Sequence, residues 1–143
     1  MNYKINVSCI KNNLKEIRDF ISSILGKYNI CENEKNLIIV AIDEVCSNLM
    51  IHSHSCDPSQ KIQIFVIEKN GNLIYEIHNS KKVFDILSYK EPSLEKLIKE
   101  KAAGGFGLIL VKRIMDEIEI ETRNGINICR LSRQLSVPLT AAS

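Results

Sequence analysis

Asn70-Gly71 and Asn124-Gly125 each interrupt a pair of runs in which apolar residues fall at alternate positions. The tightest hairpin turns need positive φ at two consecutive residues, and Asn followed by Gly tolerates it best. Such a step between alternating runs commits its flanks to antiparallel strands. The first pair covers residues 61–69 and 73–79, with Ile62, Ile64 and Val66 on one side of the leading run and Phe65 and Ile67 on the other. The second pair covers 118–123 and 126–131. Tyr3, Ile5 and Val7 alternate with polar residues in the same way and give one more strand at the start.

Elsewhere the apolar period lengthens to that of a helix. Leu14, Ile17, Ile21, Ile24 and Leu25 form a stripe that Asn12 or Asn13 can cap and that stops near Gly26. Asn33 can cap a second helix over about 34–54, closed by Asp57-Pro58. A long polar segment, 80–103, holds a short helix at 93–101. The cluster Gly104-Gly105-Phe106-Gly107 then leads into a helix over 108–116. The order is strand, helix, helix, strand, strand, loop, helix, strand, strand. Two hairpins favour antiparallel pairing, and the helices must then cover one face of the sheet. The expected fold is an α/β two-layer sandwich of the α+β kind, with a mixed, mainly antiparallel sheet. At 143 residues the chain reads as one domain, 1–134, with 135–143 as a frayed end.

Charge and cysteine usage narrow the partners and the compartment. A net charge of +2 with dispersed basic residues gives no electrostatic footprint for nucleic acid or membrane. With no Trp and four Phe, no stacking platform for single strands stands out. The five cysteines are odd in number and contain no CxxC, which suggests reduced thiols in a cytoplasm. The start, MNYKINVSC, lacks a basic-then-apolar leader pattern. No apolar run reaches the roughly 18 residues of a membrane span. The expectation is a cytoplasmic protein with neither nucleic acid nor membrane as partner.

Glu44, Asn48 and His52 stand at i, i+4 and i+8, so they share a helical face. One reading is a plain polar face turned to solvent. The other is a cleft wall, where the Asn48 amide oxygen is a hard, neutral ligand suited to Mg²⁺. Glu44, one turn earlier, would then position or deprotonate a hydroxyl or a water. His52 and His54 do not face one another and have no third ligand nearby, which favours a structural role. The cluster Gly104 to Gly107 offers backbone N–H groups just before a helix start, where a phosphate is well received. It is neither a Walker A loop nor a dinucleotide fingerprint, since GxxxxGK[ST] is missing and no strand immediately precedes it.

Together these segments resemble the GHKL ATP-binding superfamily, and within it the short bacterial anti-sigma-factor serine/threonine kinases. Glu44-Val45-Cys46-Ser47-Asn48, with His52 one turn on, looks like the family's N-box. Gly104-Gly105-Phe106-Gly107-Leu108, running on to Met115-Asp116-Glu117, looks like its second glycine box. The resemblance implies the GHKL (Bergerat) fold, ATP and Mg²⁺ as cofactors, Glu44 as catalytic base and Asn48 as the Mg²⁺ ligand. It implies that Gly104, Gly105, Phe106, Gly107 and Leu108 close over the phosphates, with a lid at about 83–103. It also implies a sigma factor and an antagonist protein as partners, serine phosphorylation of that antagonist, and possible homodimers. One box departs from the pattern. The family's Asp-x-Gly before Phe-Asp is here Asn79-Ser80-Lys81, ahead of Phe84-Asp85. Asn79 thus stands where an Asp accepts from the adenine amino group, and Lys81 where a Gly belongs.

Overall fold

The computed structural model describes residues 2–50, 59–79, 106–136 and 139–140. Five strands carry the architecture: β1 (Asn2–Ser8), β2 (Lys61–Lys69), β3 (Asn72–Asn79), β4 (Glu117–Arg123) and β5 (Ile126–Ser132). They form one sheet in the order β1-β2-β3-β5-β4. All four pairings are antiparallel, so the expected mixed sheet is antiparallel throughout the described residues. Both Asn-Gly steps act as expected. Asn70 and Gly71 have φ of 53° and 79°, and Asn124 and Gly125 have 53° and 77°. This is the double positive-φ turn whose twist matches its flanking strands.

Among the described residues three helices lie on one face: α1 (Asn13–Leu25), α2 (Glu32–Asn48) and α3 (Phe106–Ile114). The middle helix, α2, packs against both others. Its buried residues Ile38, Ala41, Ile42 and Val45 meet Ile17, Ile21 and Leu25 of α1 and the inward side chains Ile64, Val66, Tyr75 and Ile77 of the sheet. Fully burying an aliphatic side chain of this size stabilises by about 1.5–3 kcal/mol, so this layer holds the molecule together.

Two caps differ from expectation. Asn12 has helical φ and ψ of −61° and −24°, and no side-chain bond caps α1. A residue already in the helical region cannot aim its side chain back over the following amides. Asn13 instead donates from Nδ2 to the Ser8 carbonyl at 2.9 Å, fastening the helix to β1. The second helix starts at Glu32, before Asn33, after extended Cys31. Glu32 and Glu34 in its first turn provide the negative charge that a helix N-terminus favours.

The frayed end also needs correction where it is described. Leu135 is buried, Ser136 donates through Oγ to Glu34 at 2.7 Å, and Asn29 donates its N–H to the Thr140 carbonyl at 2.8 Å. Leu135 N–H is further held by the Asn72 side chain at 3.2 Å. The short helix expected at 93–101 and the His52 end of the second helix fall outside the described residues.

Candidate functional site

α2 brings Glu44 and Asn48 onto one stripe, each half-buried. The Asn48 Nδ2 donates to the backbone carbonyl of Glu44 at 2.7 Å. That bond lays the Asn48 side chain back along the helix and leaves the amide oxygen as its remaining acceptor. Beyond Asn48 the helix widens into a π-type turn at Leu49 and Met50. Such single-turn widenings are frequent at functional sites.

Burial holds the Glu44 carboxyl above the usual carboxylate range, and the neighbouring Asp43 carboxylate adds to the effect. Asp43 itself is tied to Arg18 of α1 at 2.8 Å. A carboxyl raised in this way is better matched to proton transfer near neutral pH than an ordinary surface carboxylate.

Asn79 closes β3 and is 3% exposed. It lies on the helix-covered face with Leu73, Tyr75 and Ile77, where the inner rows are apolar. Across the sheet Asn79 is in register with Asn127, and Asn127 with Thr122. Thr122 Oγ1 donates to Asn127 Oδ1 at 3.0 Å. A polar row, Asn79–Asn127–Thr122, therefore replaces the apolar rows Ile77–Cys129–Ile120 and Tyr75–Leu131–Ile118 at this end of the sheet. Asn127 and Thr122 escaped the sequence reading. Their signal was nonetheless present: both are polar at positions whose alternation points to the core.

Helix and row share one end of the molecule. Cys46 sits on α2 between Glu44 and Asn48. Its thiol is pushed up by burial first, then by Asp43 and by nearby Cys129 of β5. Cys129 lies one row from Asn127 on the same face. At the other end of α2, Glu34 bonds Arg133 and Ser136, just past the end of β5.

The glycine box is described only in part. α3 begins at Phe106, two residues earlier than expected, so Phe106, Gly107 and Leu108 lie in its first turn. The first-turn N–H groups of a helix have no intrahelical acceptor. Gly104 and Gly105, which precede them in the chain, lie outside the described residues, as do Lys81 and the expected lid at 83–103. No cluster of three or more metal-ligating side chains occurs among the described residues. The donor set fits MgATP on two observations: a half-buried amide oxygen one turn from a carboxylate, and a polar row, buried at Asn79, where the fold otherwise places aliphatics.

The histidine kinase-like ATPase domain family matches residues 9–133. The serine-protein kinase RsbW of Bacillus licheniformis is 21% identical over 122 residues, covering 78% of this chain and 72% of the relative. RsbW of Halalkalibacterium halodurans is 24% identical over 115 residues, covering 77% and 69%. Among solved structures, the RsbU and RsbW domains of a Mycobacterium tuberculosis protein align with a TM-score of 0.68 at 16% identity. That alignment takes in 100% of this chain, which spans 35% of the larger one. The SiaB–SiaC complex of Pseudomonas aeruginosa aligns with a TM-score of 0.56 at 12% identity, covering 96% and 89%. At these identities the structural matches speak to fold. Among the described residues no helix is long and apolar enough to cross a membrane.

Proposed function

This chain belongs to the histidine kinase-like ATPase domain family, and on that premise we propose that it is an ATP-dependent protein serine kinase. It acts as an anti-sigma regulatory factor, and its acceptor is a serine on a small antagonist protein. The observation that carries the reading is Glu44: a half-buried carboxyl with a raised pKa, one turn from the Asn48 amide. RsbW relatives named as serine-protein kinases support the class of reaction.

The division of labour follows from the residues. Asn48 presents Oδ1 as the oxygen ligand that Mg²⁺ prefers. Asn79 accepts from the adenine amino group, with Asn127 and Thr122 completing that end of the pocket. The first-turn amides of α3 and the glycines before them take the phosphate charge. Glu44 receives the proton of the serine hydroxyl as its oxygen bonds to the γ-phosphorus and the bond to the bridging oxygen breaks, releasing ADP. Magnesium-bound ATP, when present, supplies the phosphoryl group and the charge that neutralises its transfer. Phosphoryl transfer depends chiefly on positioning and neutralisation, so these parts matter more than tight base binding. A neutral Asn79 should raise KM for ATP more than it lowers kcat, because base contacts are shared by ground and transition states.

A second reading has one observation in its favour. Asn79 and Lys81 depart from the family's adenine-reading box, which suits a non-catalytic module that sequesters its partner. Transfer from radiolabelled ATP to the antagonist separates the two. Wild type should phosphorylate it, and Glu44→Gln should keep ATP and partner binding while losing transfer by about 10²-fold or more. A wild-type protein that binds the antagonist yet transfers nothing at saturating MgATP leaves only the sequestering module.

A further inference from the structure

Asn79 is engaged by its neighbours, yet its buried side-chain nitrogen, Nδ2, has no acceptor among the described residues. A buried donor left unmet is destabilising, and folded proteins keep few of them. Its surroundings are neutral. Asn127 and Thr122, the other members of its row, carry no charge, and Asn127 Oδ1 already accepts from Thr122 Oγ1 at 3.0 Å. The next row inward is apolar, with Ile77 and Cys129 fully buried. A ligand atom with a lone pair would meet this donor.

The chemistry of an amide decides which ligand atoms those are. A carboxylate only accepts, whereas a carboxamide presents an acceptor and a donor side by side. Adenine shows a 6-amino donor next to the N1 acceptor. Hypoxanthine and guanine show the inverse, a 6-oxo acceptor next to an N1–H donor. A carboxylate suits the first edge and sets its own negative charge against the carbonyl of the second. An amide pairs with either edge. Passing from one to the other takes a half-turn about χ2, a torsion that is broad and roughly two-fold.

We propose that the base pocket takes 6-oxopurine nucleoside triphosphates, those of hypoxanthine and guanine, alongside ATP, with Asn79 as the residue that sets this breadth. The proposal rests on the reading of Asn79 as the group that faces the base in a nucleotide-dependent kinase. With a 6-oxopurine, Nδ2 donates to the 6-oxo oxygen and Oδ1 accepts from N1–H. With adenine the amide turns over, so that Oδ1 accepts from the 6-amino group and Nδ2 donates to N1. Hydrogen bonding discriminates strongly only where the wrong ligand leaves a buried group of the site unpaired, and neither edge does so here. The Asn48 oxygen and the first-turn amides of α3 address the metal and the phosphates, which are the same in all these nucleotides.

Competition calorimetry on the full chain with Mg²⁺ tests this with four probes: ATP, inosine triphosphate (ITP), GTP and purine riboside triphosphate, which has only hydrogen at position 6. Wild type should bind ITP within about tenfold of ATP, and each about fivefold tighter than the purine riboside compound, as one further hydrogen bond provides. GTP should follow ITP; tight ITP with weak GTP supports the 6-oxo pairing and narrows it to hypoxanthine. Asn79→Asp should bind ATP about fivefold tighter and ITP at least about tenfold weaker. If that variant fails to fold, the wild-type ratios decide alone. Wild-type rejection of ITP by about 100-fold or more overturns the proposal, while tight ATP binding and transfer to the antagonist would leave the kinase reading intact. An ATP/ITP ratio unmoved by Asn79→Asp overturns it too, because Asn79 then faces no base. Binding of none of the four overturns both readings.

Discussion

Glu34→Ala tests how the chain end and α2 are held together. Glu34 is 5% exposed, in the first turn of the helix that carries Glu44 and Asn48. Its carboxylate accepts from Ser136 Oγ at 2.7 Å, Ser136 N–H at 3.3 Å and Arg133 Nε at 3.3 Å. Removing one side of a buried ion pair costs about 3–5 kcal/mol, because the remaining charge stays desolvated. Two features reduce that here. The Arg133 side chain is 25% exposed, and it keeps its 2.7 Å bond to the Ile114 carbonyl. The expected loss is therefore about 2–3 kcal/mol. For a chain of this size that is a fall in Tm of about 6–9 °C. Urea unfolding followed by circular dichroism gives the free energy directly, with the m-value unchanged if the denatured state is unaffected. Ser136→Ala alone should cost about 1 kcal/mol, and in the Glu34→Ala background almost nothing, because the two share a bond. A loss below about 0.5 kcal/mol for Glu34→Ala, the range of an ordinary surface substitution, would refute the view that this carboxylate straps residues 133–136 to α2.

Three further outcomes are expected. Asn48→Ala should weaken MgATP binding in calorimetry far more than binding of metal-free ATP; equal affinity for MgATP in both proteins would remove Asn48 from the metal site. Asn79→Asp should tighten ATP by about 1 kcal/mol and leave GTP unimproved, since a charged acceptor makes the stronger bond to an amino group and none to a carbonyl; an unchanged ATP/GTP preference would show that Asn79 does not read the base. Burial opposes ionisation of Glu76, but its bonds to Arg130 and His78 outweigh that and hold the carboxyl below the usual range. A depressed folded pKa gives stability that is present above the unfolded value near 4.3 and lost as pH falls through the folded one. Glu76→Gln should therefore cost about 1–2 kcal/mol at pH 7 and progressively less below about pH 4, as read from thermal unfolding across pH.

Strands and hairpins were legible because their signals are local. Asn70-Gly71 and Asn124-Gly125 set turn geometry within two residues, and alternation assigned each face. The helix starts were less legible. Asn12, Asn13 and Asn33 are all good capping residues, yet the observed starts depend on where β1 and Cys31 release the chain, which is a tertiary matter. The tied end was misread for a similar reason. Nothing near Leu135 and Ser136 signals order, because their partners, Asn72 and Glu34, stand far away in sequence. Within the site, the i, i+4 spacing of Glu44 and Asn48 placed them on one stripe without any structure. The row of Asn127 and Thr122 beside Asn79 needed strand register, which no single segment carries.

That row bears on why an amide occupies the position of a carboxylate. Asn79 is 3% exposed and surrounded on its face by Tyr75, Ile77 and Cys129 positions that are themselves buried. A carboxylate there would carry a larger desolvation cost than the amide whenever no base is bound. The amide lowers that cost in the empty protein and gives up the stronger, charge-assisted bond to the base. Asn79→Asp should then move two quantities in opposite directions: ATP affinity up, and stability of the nucleotide-free protein down. A substitution that raised affinity with no loss of stability would mean that this end of the sheet is wetter than its burial implies. The opposite pairing, stability lost with no gain in affinity, would place the base elsewhere and leave Asn79 as part of the polar row alone.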